Sequence, residues 1–321
     1  MTQFMTFGET PLWLSPARRE RLERTRELRV RADGIESNAA VAAHALGTQA
    51  VWASVLPDSP LGRRVRSAVD AQGVQTDVSW ADPAGCRQGL VFGESTRPPR
   101  EQRRLHDQTG TAVAAATPSD LPMDRVRDAD MLLAGSNTAV LSQASAETTT
   151  ALLRAGQGGG ARTAVALEYA AALDSPEVYR GVFEELATHV DIVFLREADA
   201  QAALGLDDRW RDLASRLTVT YGLDIAVVFR PGHGAVAIED SPQAGLVHER
   251  SGIDTNPVDA AGGYGAVVGG VCNALLDGAD IATALDTGLA AAGLVRTLDG
   301  PFLSATDAEV DAALDRLVGG R

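Results

Sequence analysis

Two adjacent arginines, Arg103 and Arg104 in RRLHDQTG at 103–110, carry planar guanidinium groups able to hold a carboxylate by paired hydrogen bonds. On a surface this rich in arginine they also read as a solvated edge. Asn38, in DGIESNAAVAAHALG at 33–47, both donates and accepts hydrogen bonds, so it suits sugar hydroxyls as well as a helix N-cap; the roles are compatible. Gly34 ahead of it lets backbone approach a ligand closely. The glycines Gly156, Gly158, Gly159 and Gly160 follow a helical pattern and precede a strand. A phosphate loop needs the reverse order, so this cluster reads as a turn. Other chemistries lack their residues. No Gly-x-Ser-x-Gly elbow exists, and Ser136, at a strand end, reads as lining a loop. His44, His106, His189, His233 and His248 show no zinc spacing, which predicts no tightly held metal, and His233 reads as an exposed turn residue. Cys86 and Cys272 stand far apart without metal-like spacing and are expected to be reduced thiols.

The elements that must position these groups follow an α/β rhythm. Short apolar runs at 49–55, 130–135, 162–167, 190–195 and 224–229 alternate with helical patterns at 60–73, 145–155, 198–204 and 208–220. Asp or Ser near several helix starts supplies caps. This pattern predicts a doubly wound, mainly parallel sheet in a single domain spanning 1–321. Residues 10–32 and 85–108 break the rhythm, and each is expected to contribute strands to a small β lid. Trp13 and Trp52, near strands, read as lid or core packing.

Composition narrows the partners. The 321 residues carry 29 basic and 43 acidic side chains, a net charge of −14, which disfavours nucleic acid and anionic membranes. Every basic residue is arginine, and a lysine-free, acid-rich surface suits high salt. No apolar run approaches the ~20 residues a membrane span needs, and no leader pattern opens the chain, so the expected location is cytoplasmic.

The segments TFGETPLWLSP at the start, DGIESNAAVAAHALG at 33–47, LPDSPLGRRV at 56–65, QGV at 72–74 and VDAAGGYGAVVGGVCNALLDG at 258–278 resemble the pfkB, or ribokinase-like, carbohydrate kinases over nearly the whole chain. The 2-keto-3-deoxygluconate kinases are the nearest group. The resemblance implies a ribokinase-like fold, a sugar or sugar acid as substrate and MgATP as cofactor. It places Gly34, Asn38, Arg103 and Arg104 on the sugar, and Asp259, Gly262, Gly263 and Tyr264 at the anion hole. Arg196, Asp199 and Gly234 fall on the nucleotide side. An exposed clasp of lid strands further predicts a homodimer.

Several matched positions depart from the family. Its first signature usually reads Gly-Gly-Ala-Glu-x-Asn, and Asp33 replaces the first glycine here. Its second usually reads Asp-Thr-Thr-Gly-Ala-Gly-Asp, whose last Asp is the general base; Gly265 holds that place and Tyr264 replaces a glycine. Arg196 and Asp199 stand for Asn-x-x-Glu, while Ala166, Glu168 and Ala170 stand for Asp-x-Asn-x-Arg. No catalytic residue is therefore carried over. The implied function is a sugar-acid kinase impaired at its base, or alternatively a non-catalytic sugar-acid-binding, regulatory or assembly protein.

Overall fold

Parallel strands covered by helices on both faces must be apolar throughout, and the central strands here are. The structure, a computed structural model, describes residues 3–94, 103–240 and 246–319. Its strands are β1 (Gln3–Phe7), β2 (Leu12–Pro16), β3 (Leu28–Ala32), β4 (Gln49–Pro57), β5 (Gln75–Ala81), β6 (Leu90–Gly93), β7 (Arg104–Asp107), β8 (Met131–Gly135), β9 (Arg162–Leu167), β10 (Ile192–Arg196), β11 (Ile225–Arg230), β12 (Gly234–Glu239) and β13 (Leu246–Ser251). Nine form one sheet in the order β13-β12-β11-β10-β9-β8-β1-β4-β5. From β11 to β5 all neighbours run parallel, while β12 and β13 add an antiparallel edge. Every residue of β8 is buried, as its place at the centre requires. The four-stranded second sheet, β3-β2-β6-β7, draws its strands from residues 12–32 and 90–107.

Helix starts follow the cap residues. Ser59 accepts from the Gly62 amide at 3.2 Å with Pro60 in the first helical turn, and Asp280 accepts from the Thr283 amide at 2.7 Å. The helix Gln143–Gly159 takes in most of the 156–160 glycine cluster and stops where Gly160 turns left-handed at φ 94°. Asn38 is not an N-cap. The helix Ile35–Ala45 is capped by Gly34, and the Asn38 amide already donates to the Gly34 carbonyl at 2.9 Å, which puts Asn38 inside the helix. That helix packs on the glycine-rich helix Gly263–Leu276, where small residues let the backbones approach.

Two apolar cores lie on the two faces of the large sheet, one built around Phe4, Trp52 and Phe194, the other around Phe7, Phe183 and Leu195. Trp52 is fully buried in the first, whereas Trp13 sits on the small sheet under the Arg104 guanidinium. Among the described residues no helix is long and apolar enough to cross a membrane.

Candidate active site

In a doubly wound sheet, ligands bind beyond the carboxyl ends of the strands. Here a cavity of about 230 Å³ opens there, beyond β1, β8, β9 and β10 and under the small sheet. Pockets for drug-sized ligands run to roughly 300–1,000 Å³, so this smaller space suits a compact, sugar-sized molecule. It brings together Gly34, Asn38, Arg104, Arg196, Asp259, Gly262, Gly263, Tyr264 and Gly265. Arg103, Asp199 and Gly234 are not on its wall. Of the paired arginines only Arg104 faces the cavity, since strand β7 begins at Arg104 and Arg103 precedes it. Gly234 opens β12 just after the β11–β12 hairpin turn, and a Cβ there would stand 2.0 Å from the Arg250 carbonyl of β13. His233 is exposed in that hairpin's turn.

One side of the cavity is framed by the small sheet and the first helix. Gly34 has no room for a side chain, because a Cβ would lie 2.4 Å from the Glu9 carbonyl oxygen. Asn38 donates from Nδ2 to Asp33 Oδ1 at 2.8 Å, while its own Oδ1 is buried without a partner among the described residues. Sequence reasoning missed two wall residues here, Glu9 and Gln108, which hydrogen-bond across a separation of 99 positions. It also gave no role to the carboxyl of Glu36. That group accepts from Thr138 Oγ1 at 2.6 Å and fills a cup left by Gly8 and Gly135, where added Cβ atoms would stand 2.0 and 2.3 Å from it. Burial pushes Glu9 and Glu36 each up to about 7, against their hydrogen bonds to Gln108 and Thr138.

The loop of the second signature closes one end. Gly262 caps the helix Gly263–Leu276 at φ 74°, and any Cβ there would strike the Pro301 carbonyl at 2.0 Å. The helix start has no side-chain cap, and its first amides, which have no intrahelical acceptor, are left without that partner. Asp259 is engaged on this loop by the Ala261 amide at 3.0 Å and by an ion pair with Arg31 of β3. Burial alone would raise its proton affinity, but these partners outweigh it and hold the carboxyl below its usual range. Gly265 abuts the first helix: a Cβ there would be 2.5 Å from Asn38 Cβ.

On the remaining side the polar groups satisfy one another. Arg196 pairs with Glu168 at 3.0 Å and with Asp199, and its guanidinium lies 5.4 Å from the Tyr264 ring centroid. Burial would lower the Arg196 pKa, yet the two carboxylates outweigh it and keep the guanidinium charged. Glu168 also accepts from Asn137 Nδ2 at 3.0 Å, and Asn137 Oδ1 accepts from Tyr179 Oη at 2.5 Å. Ser136 does more than line a loop, donating to the Glu168 carbonyl and accepting from the Glu168 amide, both at 3.0 Å. Tyr264 donates to the Leu167 carbonyl at 3.1 Å and stacks parallel to Phe229. Burial raises its hydroxyl well above the usual tyrosine value, so it stays protonated.

These residues fit a phosphate better than a free cation. The open helix start accepts an anion, whereas a guanidinium occupies the place of a carbonyl ligand, and no group of three metal-ligating side chains exists among the described residues. Magnesium would enter on the phosphates of the nucleotide, as Mg²⁺ commonly does.

Comparison with known families places this geometry. The description pfkB family carbohydrate kinase matches residues 1–307. The chain belongs to the pfkB family. It is 40% identical over 312 residues to the 2-dehydro-3-deoxygalactonokinase of Haloferax volcanii, covering 97% of this chain and 96% of that one. It is 25% identical over 263 residues to the 5-dehydro-2-deoxygluconokinase of Bacillus velezensis, covering 82% and 78%. Among solved structures, the 2-dehydro-3-deoxygluconokinase of Thermotoga maritima superposes with a TM-score of 0.88 at 23% identity, covering 98% of this chain and all of that one. A ribokinase II-like protein of E. coli, solved with ATP and Mg²⁺, superposes at 0.84 with 14% identity, covering 98% and 100%. The ribokinase-like fold of this pfkB chain is thus shared along its length.

Proposed function

We propose that this pfkB protein transfers the γ-phosphoryl group of MgATP to a hydroxyl of a 2-keto-3-deoxy sugar acid. The observation that carries this reading is the cavity itself. At one end Arg104 and the unpartnered Oδ1 of Asn38 stand ready for an acidic, hydroxylated ligand; at the other lies an uncapped helix start. The identity to the Haloferax enzyme over 97% of the chain supports the same substrate class. In this reading Gly34 and Asn38 hold the sugar, Arg104 holds its carboxylate, and the Gly263 and Tyr264 amides stabilise charge on the transferring group.

A second reading is favoured by Gly265 and by the closed polar cluster around Arg196: a non-catalytic sugar-acid-binding protein on the same fold. Calorimetric titration in high salt with MgATP, then with 2-keto-3-deoxygluconate and 2-keto-3-deoxygalactonate, followed by a product assay, separates the two. Binding of both substrates with phosphorylated product supports the kinase. Sugar-acid binding without nucleotide binding supports the second reading, and binding of neither sugar acid rejects both. We also propose that two copies pair through the small sheet, where Leu105 is 61% exposed. Sedimentation should give a dimer that Leu105→Glu shifts to monomer.

A further inference from the structure

We propose that Asp33 is the general base of this protein, a carboxylate supplied from the loop before the first helix in place of one at position 265; the proposal rests on the kinase reading above. Two departures from the family, an Asp gained at 33 and an Asp lost at 265, fall on opposite sides of a single residue. A Cβ at Gly265 would stand 2.5 Å from Asn38 Cβ, and the side-chain Nδ2 of the same Asn38 donates to Asp33 Oδ1 at 2.8 Å. Both positions line the cavity. A side chain at 265 would meet the first helix, so the space a base there would need is occupied.

Each of the other carboxyls on the wall has a partner, although Glu9, like Asp33, also keeps one oxygen without one among the described residues. Glu9 is held by Gln108, Glu36 by Thr138, Glu94 by the Leu22 amide, Glu168 by Arg196 and Asn137, and Asp259 by Arg31 and the Ala261 amide. Asp33 forms no ion pair within 4.0 Å among the described residues, and its second oxygen accepts no hydrogen bond from them. Burial raises its proton affinity, opposed by the Asn38 hydrogen bond and reinforced by the charge of Glu168. That direction suits a group that must take a proton near neutral pH.

The step balances. The substrate hydroxyl oxygen bonds to the γ-phosphorus of ATP while its proton passes to the free oxygen of Asp33. The bond from that phosphorus to the β,γ-bridging oxygen breaks, its electron pair leaves with ADP, and Asp33 later returns the proton to solvent.

The test compares wild type with Asp33→Asn and Asp33→Gly in MgATP and 2-keto-3-deoxygluconate turnover, with thermal melting and sugar-acid titration checking that each variant folds and binds. Asparagine preserves an acceptor for Asn38, and glycine restores the residue type usual in the family. The expected result is a fall in kcat of ~10²–10⁴-fold, with sugar-acid KM within about threefold of wild type. The decline of kcat in acid, as Asp33 protonates in wild type, should vanish from the residual activity of the variants. A folded variant whose kcat stays within about threefold of wild type overturns the proposal, as does one that raises only KM. Absence of product from wild type sinks the kinase reading itself, a distinct outcome.

Discussion

The two sides of the cavity handle their polar groups in opposite ways. On the side of the small sheet and the first helix, Asn38 Oδ1 and Glu9 Oε1 are buried without partners among the described residues. On the side of Arg196, that residue, Glu168, Asp199, Asn137 and Tyr179 satisfy one another. A buried polar atom without a partner is costly, and a ligand hydroxyl can relieve it. The first side therefore gains from a ligand what it lacks alone, whereas the second must exchange existing partners for new ones. If a sugar acid and a nucleotide take these two sides as proposed, the sugar acid should bind more tightly than the nucleotide.

The strongest blow to the closed side is Arg196→Ala. It leaves Glu168 and Asp199 side by side without their cation, and because the group is only part-buried the cost should fall below the ~3–5 kcal/mol of a fully buried pair. Urea unfolding should show that loss, and MgATP titration on any folded fraction should show weakened binding. Retained stability would mean the cluster is not mutually dependent.

A somewhat smaller effect sharpens the picture on the open side. Glu9 rises from its ordinary 4.5 to about 7 through burial, so folding favours its protonated form. The resulting stability is complete below pH 4.5 and fades as pH climbs through about 7. Glu9→Gln, permanently neutral, should melt with wild type in acid and at a higher temperature above pH 7. Parallel melting curves across that window would show that Glu9 is not desolvated.

The mildest change tests the boundary between the sides. Gly265→Asp restores the family's residue but forces a Cβ within 2.5 Å of Asn38, and overpacking of this kind costs about 1–3 kcal/mol. The expected variant melts lower and turns over no faster. A gain in kcat at unchanged stability would show that the first helix yields readily and that position 265 remains open to a base.

The large sheet was legible because its parallel strands are buried on both faces and so stand out as unbroken apolar runs, as in RTAVAL and DIAVVF. The lid was legible only as a break in that rhythm. Within the site, the signature glycines and Asn38 were found through neighbouring residues, but their partners lie far along the chain. Arg31 meets Asp259 across 228 positions, and no local pattern reports such a contact. Asn38 was misread as a cap because nothing in Gly34-Ile35-Glu36-Ser37 marks an earlier helix start; Gly34 caps without a side chain. The paired arginines could not be separated without knowing that β7 begins at Arg104, so that Arg104 alone joins the wall.

Strand β3 is fastened to the C-terminal third of the chain by three ion pairs of unequal shelter, Arg29–Asp299, Arg31–Asp299 and Arg31–Asp259. Arg29–Asp299 is more than half exposed at both ends, whereas Arg31–Asp259 keeps only 22% and 21% of its side chains exposed. In 1 M salt the Debye length shrinks to about 3 Å, which erases the outer attraction far more than the inner. In strong brine the clasp thus hangs mainly on the sheltered Arg31–Asp259 pair.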